Sequence, residues 1–229
     1  MTSSAYTDGR YLAQNASWHV EDSAWKARQI LGILERNAVH PTTLAEVGCG
    51  AGEILAQLAR ALPDARLDGY DVSPDALALA ATRATDRLTF HLADLTTEVV
   101  RVDCLLCIDV VEHVEDYLGF LRALRSTARV AVFHIPLDVT VLSVLRDKML
   151  AARNEVGHLH YFTPATALAT LRDCGYRIID SAFTPAFRDV PGRSVATRLA
   201  NIPRRMLYWL SPRLMVRWLG GASLLVLAE

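Results

Sequence analysis

Apolar positions recur along this chain in two alternating rhythms. Between Glu21 and Asn37 they fall at 27, 30, 31 and 34, the spacing of one helical face. Ser23 is a suitable N-cap, so a helix is expected from about Ala24 to Asn37. Short apolar runs then alternate with helical patterns: "TLAEVG" precedes Ile54, Leu55, Leu58 and Leu62, and "RLDGYDV" precedes a helix capped by Ser73 with Pro74 in its first position. "LTFHLAD", "VDCLLCIDV" and "ARVAVFHIP" read as further strands, with a helix from about Tyr117 to Thr127 between the last two. A Thr163-capped helix ended by Gly175, a strand after it, and a closing "ASLLVLAE" strand complete the pattern. Repeated strand-helix units with apolar strands predict a parallel sheet covered on both faces.

Composition narrows the reading. A chain of 229 residues, 52% of them hydrophobic, suits one domain over 1-229, and no internal repeat or linker argues for a second. A net charge of -1 carries no electrostatic footprint of nucleic-acid binding. No leader pattern opens the chain, and no apolar run reaches the roughly 20 residues of a spanning helix, so a cytoplasmic protein is expected. Cys104 and Cys107 form a CxxC, but residues three apart on a strand face opposite sides, so buried reduced thiols are expected rather than a metal pair.

The most informative stretch is "LAEVGCGAGEILAQLA". Glycines at 48, 50 and 52 allow a sharp turn, close approach of a ligand to the backbone, and tight packing of helix on strand. The dinucleotide fingerprint is G-x-G-x-x-G; here the third glycine comes one residue early. Glu46 and Glu53 flank the turn and no P-loop lysine follows, so a cationic ligand fits better than a pyrophosphate. A second strand ends at Asp71, where a carboxylate can accept from both ribose hydroxyls, and a third is expected to end in Asp94.

With "EVGCGAG", "DGYDVS" and "HLADL" in order, the chain from about residue 42 onward is similar to class I S-adenosylmethionine-dependent methyltransferases. The resemblance implies a three-layer Rossmann-like α/β sandwich whose seven-stranded sheet is mostly parallel, with one antiparallel strand near the C-terminus, and S-adenosyl-L-methionine as cofactor. It implies that Gly48, Gly50 and Gly52 cradle the methionine part and ribose, that Glu46 lies near the ammonium, and that Asp71 holds the ribose diol. Asp94 would meet the adenine amine, with Val72 and Leu95 beside the ring, and Asp109 would line the cofactor site after the fourth strand. A nicotinamide-binding redox enzyme is the remaining alternative for the turn.

The acceptor side is less defined. "CIDVVEHVEDY" supplies Asp109, Glu112 and His113 at the carboxyl end of strand four, where open α/β sheets bind ligands, and it resembles the "EHV" segment of ubiquinone-type methyltransferases. His113 and His134 are the candidate catalytic bases. His158 and His160 in "GHLHYFTP" would point the same way on an extended segment. Four histidines and Glu112 invite a metal, yet no helical HxxxH pair occurs and the segments lie far apart, so structural histidines and no metal are expected. Methyl transfer to a hydroxyl oxygen of a small molecule, in metabolite, natural-product or glycan biosynthesis, is the expected activity. An N-methyltransferase of a small amine, which needs no base, and a non-catalytic cofactor-binding partner are the alternatives.

Two segments flank this core. Residues 1-40, with Tyr11, Trp18, His19 and Trp25, are expected to form a helical lid or an aromatic anchor on the sheet. Residues 185-220 form a helical insertion before the last strand; Leu199, Ile202, Met206, Leu207 and Leu210 share a helical face, several arginines lie off it, and Pro203 and Pro212 should break it. An acceptor-binding cap, peripheral membrane contact through 193-217, and a dimer contact compete as its role. A monomer or homodimer is expected.

Overall fold

The computed structural model describes residues 20-189 and 195-229. A short 3-10 turn, Val20–Asp22, leads into α1 (Ser23–Arg36), after which come β1 (Thr43–Val47), α2 (Glu53–Ala61), β2 (Arg66–Asp71), α3 (Pro74–Ala80) and β3 (Leu88–Leu92). The second half adds β4 (Val102–Ile108), α4 (Tyr117–Leu124), β5 (Ala128–Pro136), α5 (Val141–Leu145), α6 (Lys148–Val156), α7 (Pro164–Asp173) and β6 (Ile178–Thr184). Then come α8 (Ala186–Asp189), α9 (Val195–Leu210), α10 (Pro212–Trp218) and β7 (Ser223–Ala228). One seven-stranded sheet runs in the order β3-β2-β1-β4-β5-β7-β6. β1 to β5 are parallel, and β7 runs antiparallel between β5 and β6. This is the expected Rossmann-like sandwich.

The sheet's two faces hold separate cores because side chains alternate along each strand. Leu44, Leu67, Leu106 and Val132 pack with Ile30, Ile33 and Leu55 on one face. On the other, Ala45, Leu105 and Phe133 pack with Leu121 and Leu171. Cys104 belongs to the first core and Cys107 to the second, which is the opposed placement the strand spacing requires. The strand order reverses between β1 and β4, so the carboxyl ends of these strands open a crevice.

Several boundaries differ from expectation. Ser23 lies inside α1, and Asp22 takes the N-cap position without a side-chain cap bond. α4 stops at Leu124, and a backbone bond from Thr127 to the Leu124 carbonyl closes a turn there. Pro203 sits within α9 without breaking it: it withholds one N–H, while Leu207 and Tyr208 beyond it pack against the core and hold the helix in register. Pro212 does open a new helix, capped by the Ser211 hydroxyl. Tyr11, Trp18, His19 and Arg193 lie outside the described residues, so the lid expectation rests there on sequence alone.

At the amino ends of the central strands, Asp103 accepts from Thr42 N at 2.9 Å, Thr42 Oγ1 at 2.7 Å and Thr43 N at 3.0 Å. The Thr42 hydroxyl and amide lead in drawing its pKa down from 3.8 to about 2. A carboxyl depressed in the folded state stabilises above its unfolded pKa and loses that contribution as pH falls through the folded value. Asp103→Asn should therefore cost about 1 kcal/mol near neutrality. Urea denaturation should show the gap to the parent shrinking as pH falls from about 5 toward about 2, and a gap independent of pH would contradict this role.

Candidate active site

The glycine turn is built by its backbone. Gly48 and Gly52 have φ of 66° and 76°, the left-handed region. A Cβ on Gly48 would meet Val110 Cγ2 at 2.6 Å, and one on Gly52 would meet the Phe90 ring at 2.5 Å. Gly48 N and Cys49 N donate to the Tyr70 carbonyl at 2.8 and 3.1 Å, which docks the turn on the end of β2. Asp71 completes the clamp: one carboxylate oxygen accepts from Gly50 N and the other from Ser73 N, both at 2.8 Å. Burial raises its pKa, opposed by these same amide bonds.

The turn opens onto a cavity of about 570 Å³ at the carboxyl edge of the sheet, within the range of small-molecule sites. Glu46, Gly48, Gly50, Asp71, Val72 and Asp109 all line it. Glu46 is fully buried, and its Oε2 has no hydrogen-bond partner among the described residues. Burial pushes this carboxyl well above the usual range; Lys26 opposes that, and Asp71 and Asp109 reinforce it. Such an oxygen is costly unless a donor from a ligand meets it. Glu53 also lines the cavity, but its carboxylate is taken by Arg83 Nε at 2.6 Å and Gln57 Nε2 at 2.8 Å.

Asp109 is held at φ 55°, a strained conformation for a non-glycine residue. Its Oδ1 accepts from His134 Nδ1 at 2.6 Å, and its Oδ2 meets Lys26 Nζ at 2.7 Å. Burial works against its charge, yet His134 and Lys26 together hold this carboxyl far below the usual range. His134 Nε2 meets the Thr184 hydroxyl at 2.9 Å, so protein groups engage both of its ring nitrogens. His134 therefore sits as a positioning residue beneath the cavity, and the expected general base at that position has no ring nitrogen left for an acceptor.

A second cavity of about 260 Å³ adjoins the first, sharing Gly48, Asp71, Val72 and Val110 with it. Asp94 and Leu95 line it. Asp94 caps the short turn Leu95–Thr97 through Thr96 N at 3.0 Å, so it too has a structural duty beside its cavity-facing one.

The histidines separate into two environments. His113 and His158 meet edge to face, with ring centroids 5.0 Å apart. His160 turns away, with its Nε2 donating to the Val114 carbonyl at 2.9 Å and its ring against Tyr117. The segment after Gly157 is not a strand, so alternation gives no common direction and the expected parallel pointing of His158 and His160 does not occur. The distance argument against a metal also fails, because Glu112, His113 and His158 bring ligand atoms within 4.8 Å of one another. Burial, then His158, lowers the His113 pKa to about 4.

Residues 45-130, which run from β1 into β5, match the family described as a methyltransferase domain. The ubiquinone biosynthesis O-methyltransferase of Colwellia psychrerythraea is 23% identical over 172 residues, covering 68% of this chain and 69% of that one. The trans-aconitate 2-methyltransferase of Streptomyces avermitilis is 40% identical over 84 residues, 34% of this chain and 31% of its own length. Among solved structures, the magnesium protoporphyrin IX methyltransferase from Synechocystis PCC 6803 with bound SAH shares the fold at a TM-score of 0.61 and 20% identity, covering 90% of this chain and 82% of that one. The N-methyltransferase NodS from Bradyrhizobium japonicum WM9 gives 0.62 at 18% identity, covering 96% and 94%.

Residues 45-130 carry a methyltransferase domain, on a chain with the fold of class I S-adenosylmethionine-dependent methyltransferases.

Three residues of the site were not singled out from sequence: Lys26, Asp138 and Thr184, all lining the larger cavity. Lys26 carried a signal, since it lies four residues before Ile30 and seven before Ile33, on the stripe that α1 buries. Asp138 and Thr184 carried none, being single polar residues in a loop and at a strand end. Lys26 joins α1 to β4 through Asp109, and removing one partner of a largely buried pair leaves the other uncompensated. Lys26→Met should lower stability by roughly 1-3 kcal/mol, with Lys26→Arg milder; urea denaturation of both would check this, and an unchanged Met variant would deny the tie.

Proposed function

We propose that this methyltransferase transfers a methyl group to a hydroxyl oxygen of a small-molecule acceptor bound in the 570 Å³ cavity. The observation that carries the cofactor half of this reading is the buried, unpartnered Glu46 carboxyl oxygen beside a glycine turn with no phosphate-binding lysine. Such a cradle suits a ligand bearing an ammonium and a sulfonium. Glu46 would take the ammonium, Gly48, Gly50 and Gly52 would admit the methionine part and ribose to the backbone, and Asp71 would accept from the ribose hydroxyls. Asp94, with Val72 and Leu95, would border the adenine in the smaller cavity. When bound, the cofactor supplies an electrophilic methyl, and the protein's main task is to align an acceptor lone pair with it.

Support for a hydroxyl acceptor comes from the cavity wall, which carries His113 and Glu112, groups whose chemistry can help a hydroxyl lose its proton. An amine acceptor would leave these groups without a task. Asp71→Asn keeps the side chain's shape and removes its charge, so it should weaken S-adenosylmethionine binding about 10- to 100-fold, or 1-3 kcal/mol. Calorimetry reads this directly; unchanged affinity, or NAD binding in place of S-adenosylmethionine, would overturn the placement. Turnover on an acceptor panel that favours amines over hydroxyls would overturn the oxygen assignment alone.

We further infer that the helical insertion before β7 touches an anionic lipid surface rather than capping the acceptor. No described side chain of α9 or α10 lines the cavity. The apolar face of α9 points outward, with Trp209 84% and Leu210 69% exposed and Leu199, Ile202 and Met206 beside them. Arg204 and Arg205 face back: Arg204 bonds Asn201 and the Leu219 carbonyl, and Arg205 bonds the Phe187 and Arg188 carbonyls. From Val195 to Trp218 the chain holds five arginines and no acid. An outward apolar face within a basic segment is the pattern of helices that lie in a membrane interface. Flotation with phosphatidylglycerol vesicles should succeed and should fall at least tenfold in Trp209→Ser/Leu210→Ser. Equal flotation of parent and variant, or a stable dimer in place of lipid binding, would sink this inference.

A further inference from the structure

Where β4 ends, the turn Val111–His113 is pinned to a segment far along the chain: the Glu112 carbonyl accepts from Leu159 N at 2.7 Å and His160 N at 3.1 Å. This zipper brings His158 against His113. Each ring is oriented through its Nδ1. His113 Nδ1 faces the Gly157 carbonyl at 3.1 Å, and His158 Nδ1 faces Asp138 Oδ2 at 2.6 Å. A carbonyl or carboxylate can only accept, so in both rings the Nδ1 carries the proton, and in the neutral ring Nε2 carries the lone pair.

Beside them is Glu112, 1% exposed, its ligand atom within 4.8 Å of theirs, with both carboxyl oxygens buried and without a hydrogen-bond partner among the described residues. Its Oε1 lies 3.9 Å from His113 Nε2. Two ligand atoms that share a first-row ion at about 2.1 Å each stand roughly 3-3.5 Å apart, so a small contraction would bring this set into coordination. Two imidazole nitrogens and a carboxylate, each ring held by an acceptor on its far nitrogen, form the arrangement by which proteins fix metal ligands and raise their basicity.

We propose that Glu112, His113 and His158 form a divalent-metal site of the two-histidine, one-carboxylate type, with Asp138 and the Gly157 carbonyl as its outer support. The nitrogen and oxygen donors, with no thiolate among them, suit a first-row ion such as Mn²⁺, Co²⁺ or Zn²⁺. Three protein ligands leave coordination positions open, and all three residues line the same cavity as Glu46. The open positions would take a hydroxyl oxygen of the acceptor and lower its pKa, which is the chemistry an oxygen acceptor needs. This last role rests on the proposed oxygen methylation; the ion site itself does not.

The test is titration of the full, chelator-stripped chain with Mn²⁺, Co²⁺ and Zn²⁺, by calorimetry and by the visible absorption of Co²⁺, with S-adenosylhomocysteine binding measured in parallel. The expected result is one ion per chain, at least tenfold weaker in His158→Ala and about 10- to 100-fold weaker in Asp138→Asn, with S-adenosylhomocysteine affinity retained in both variants. No saturable binding of any of the three ions, or equal binding by the parent and His158→Ala, would overturn the site. Loss of S-adenosylhomocysteine binding by the metal-free parent would instead overturn the cofactor reading and leave the metal result standing on its own.

Discussion

The site is governed by the removal of several carboxyl groups from water around one cavity. Glu46 is the penultimate residue of β1, Asp71 ends β2, Asp109 follows β4 and Glu112 lies in the turn beyond it. Charges gathered in this way repel one another and lose hydration, so each must be met by a donor, a cation or a proton. Asp71 is met by the amides of the glycine turn and Asp109 by Lys26 and His134, while Glu46 and Glu112 keep oxygens that no described protein group meets. The unmet oxygens fall at two places, beside the glycine turn and beside the paired histidines, and these are where the proposed cationic ligands would sit.

Because parallel strands deliver their carboxyl ends to the same edge, carboxyl groups from three distant stretches of the chain, Glu46, Asp71 and the Asp109-Glu112 pair, converge there. The strained backbone at Asp109 is the clearest sign that this convergence is enforced. A non-glycine residue persists in a left-handed conformation only where surrounding contacts over-determine it, and here an ion pair from α1 and a hydrogen bond from β5 do so. The same contacts tie α1, which precedes the sheet in sequence, to the floor of the site.

The helices before β7 follow a different logic. A helix packed on a soluble core turns its apolar stripe inward, but α9 keeps several of its large apolar side chains outward and spends Arg204 and Arg205 on carbonyls and an amide of its own protein. Its core contacts come from Leu207 and Tyr208. No helix among the described residues is long and apolar enough to cross a membrane, and the lipid contact proposed for this outward face is contact with a surface.

By itself the sequence determined the order of the seven strands, the helices that alternate with them as far as β5, the opposed burial of Cys104 and Cys107, the glycine turn and the acid that ends β2. These depend on periods of two and 3.6 residues and on backbone freedoms of individual glycines, which are local properties readable from neighbours in the chain. α5 and α6 went unread, and Asp94 proved to lie two residues beyond β3. Only the tertiary structure decided which way the amphipathic face of α9 points, that Lys26 reaches Asp109, that Glu53 is taken by Arg83, and that His158 rather than His160 joins His113. Each of those is a contact between residues distant in the chain, set by which strand ends meet at the sheet edge and by the backbone bonds from Leu159 and His160 to Glu112. Periodicity along one segment carries no information about what packs against it from another.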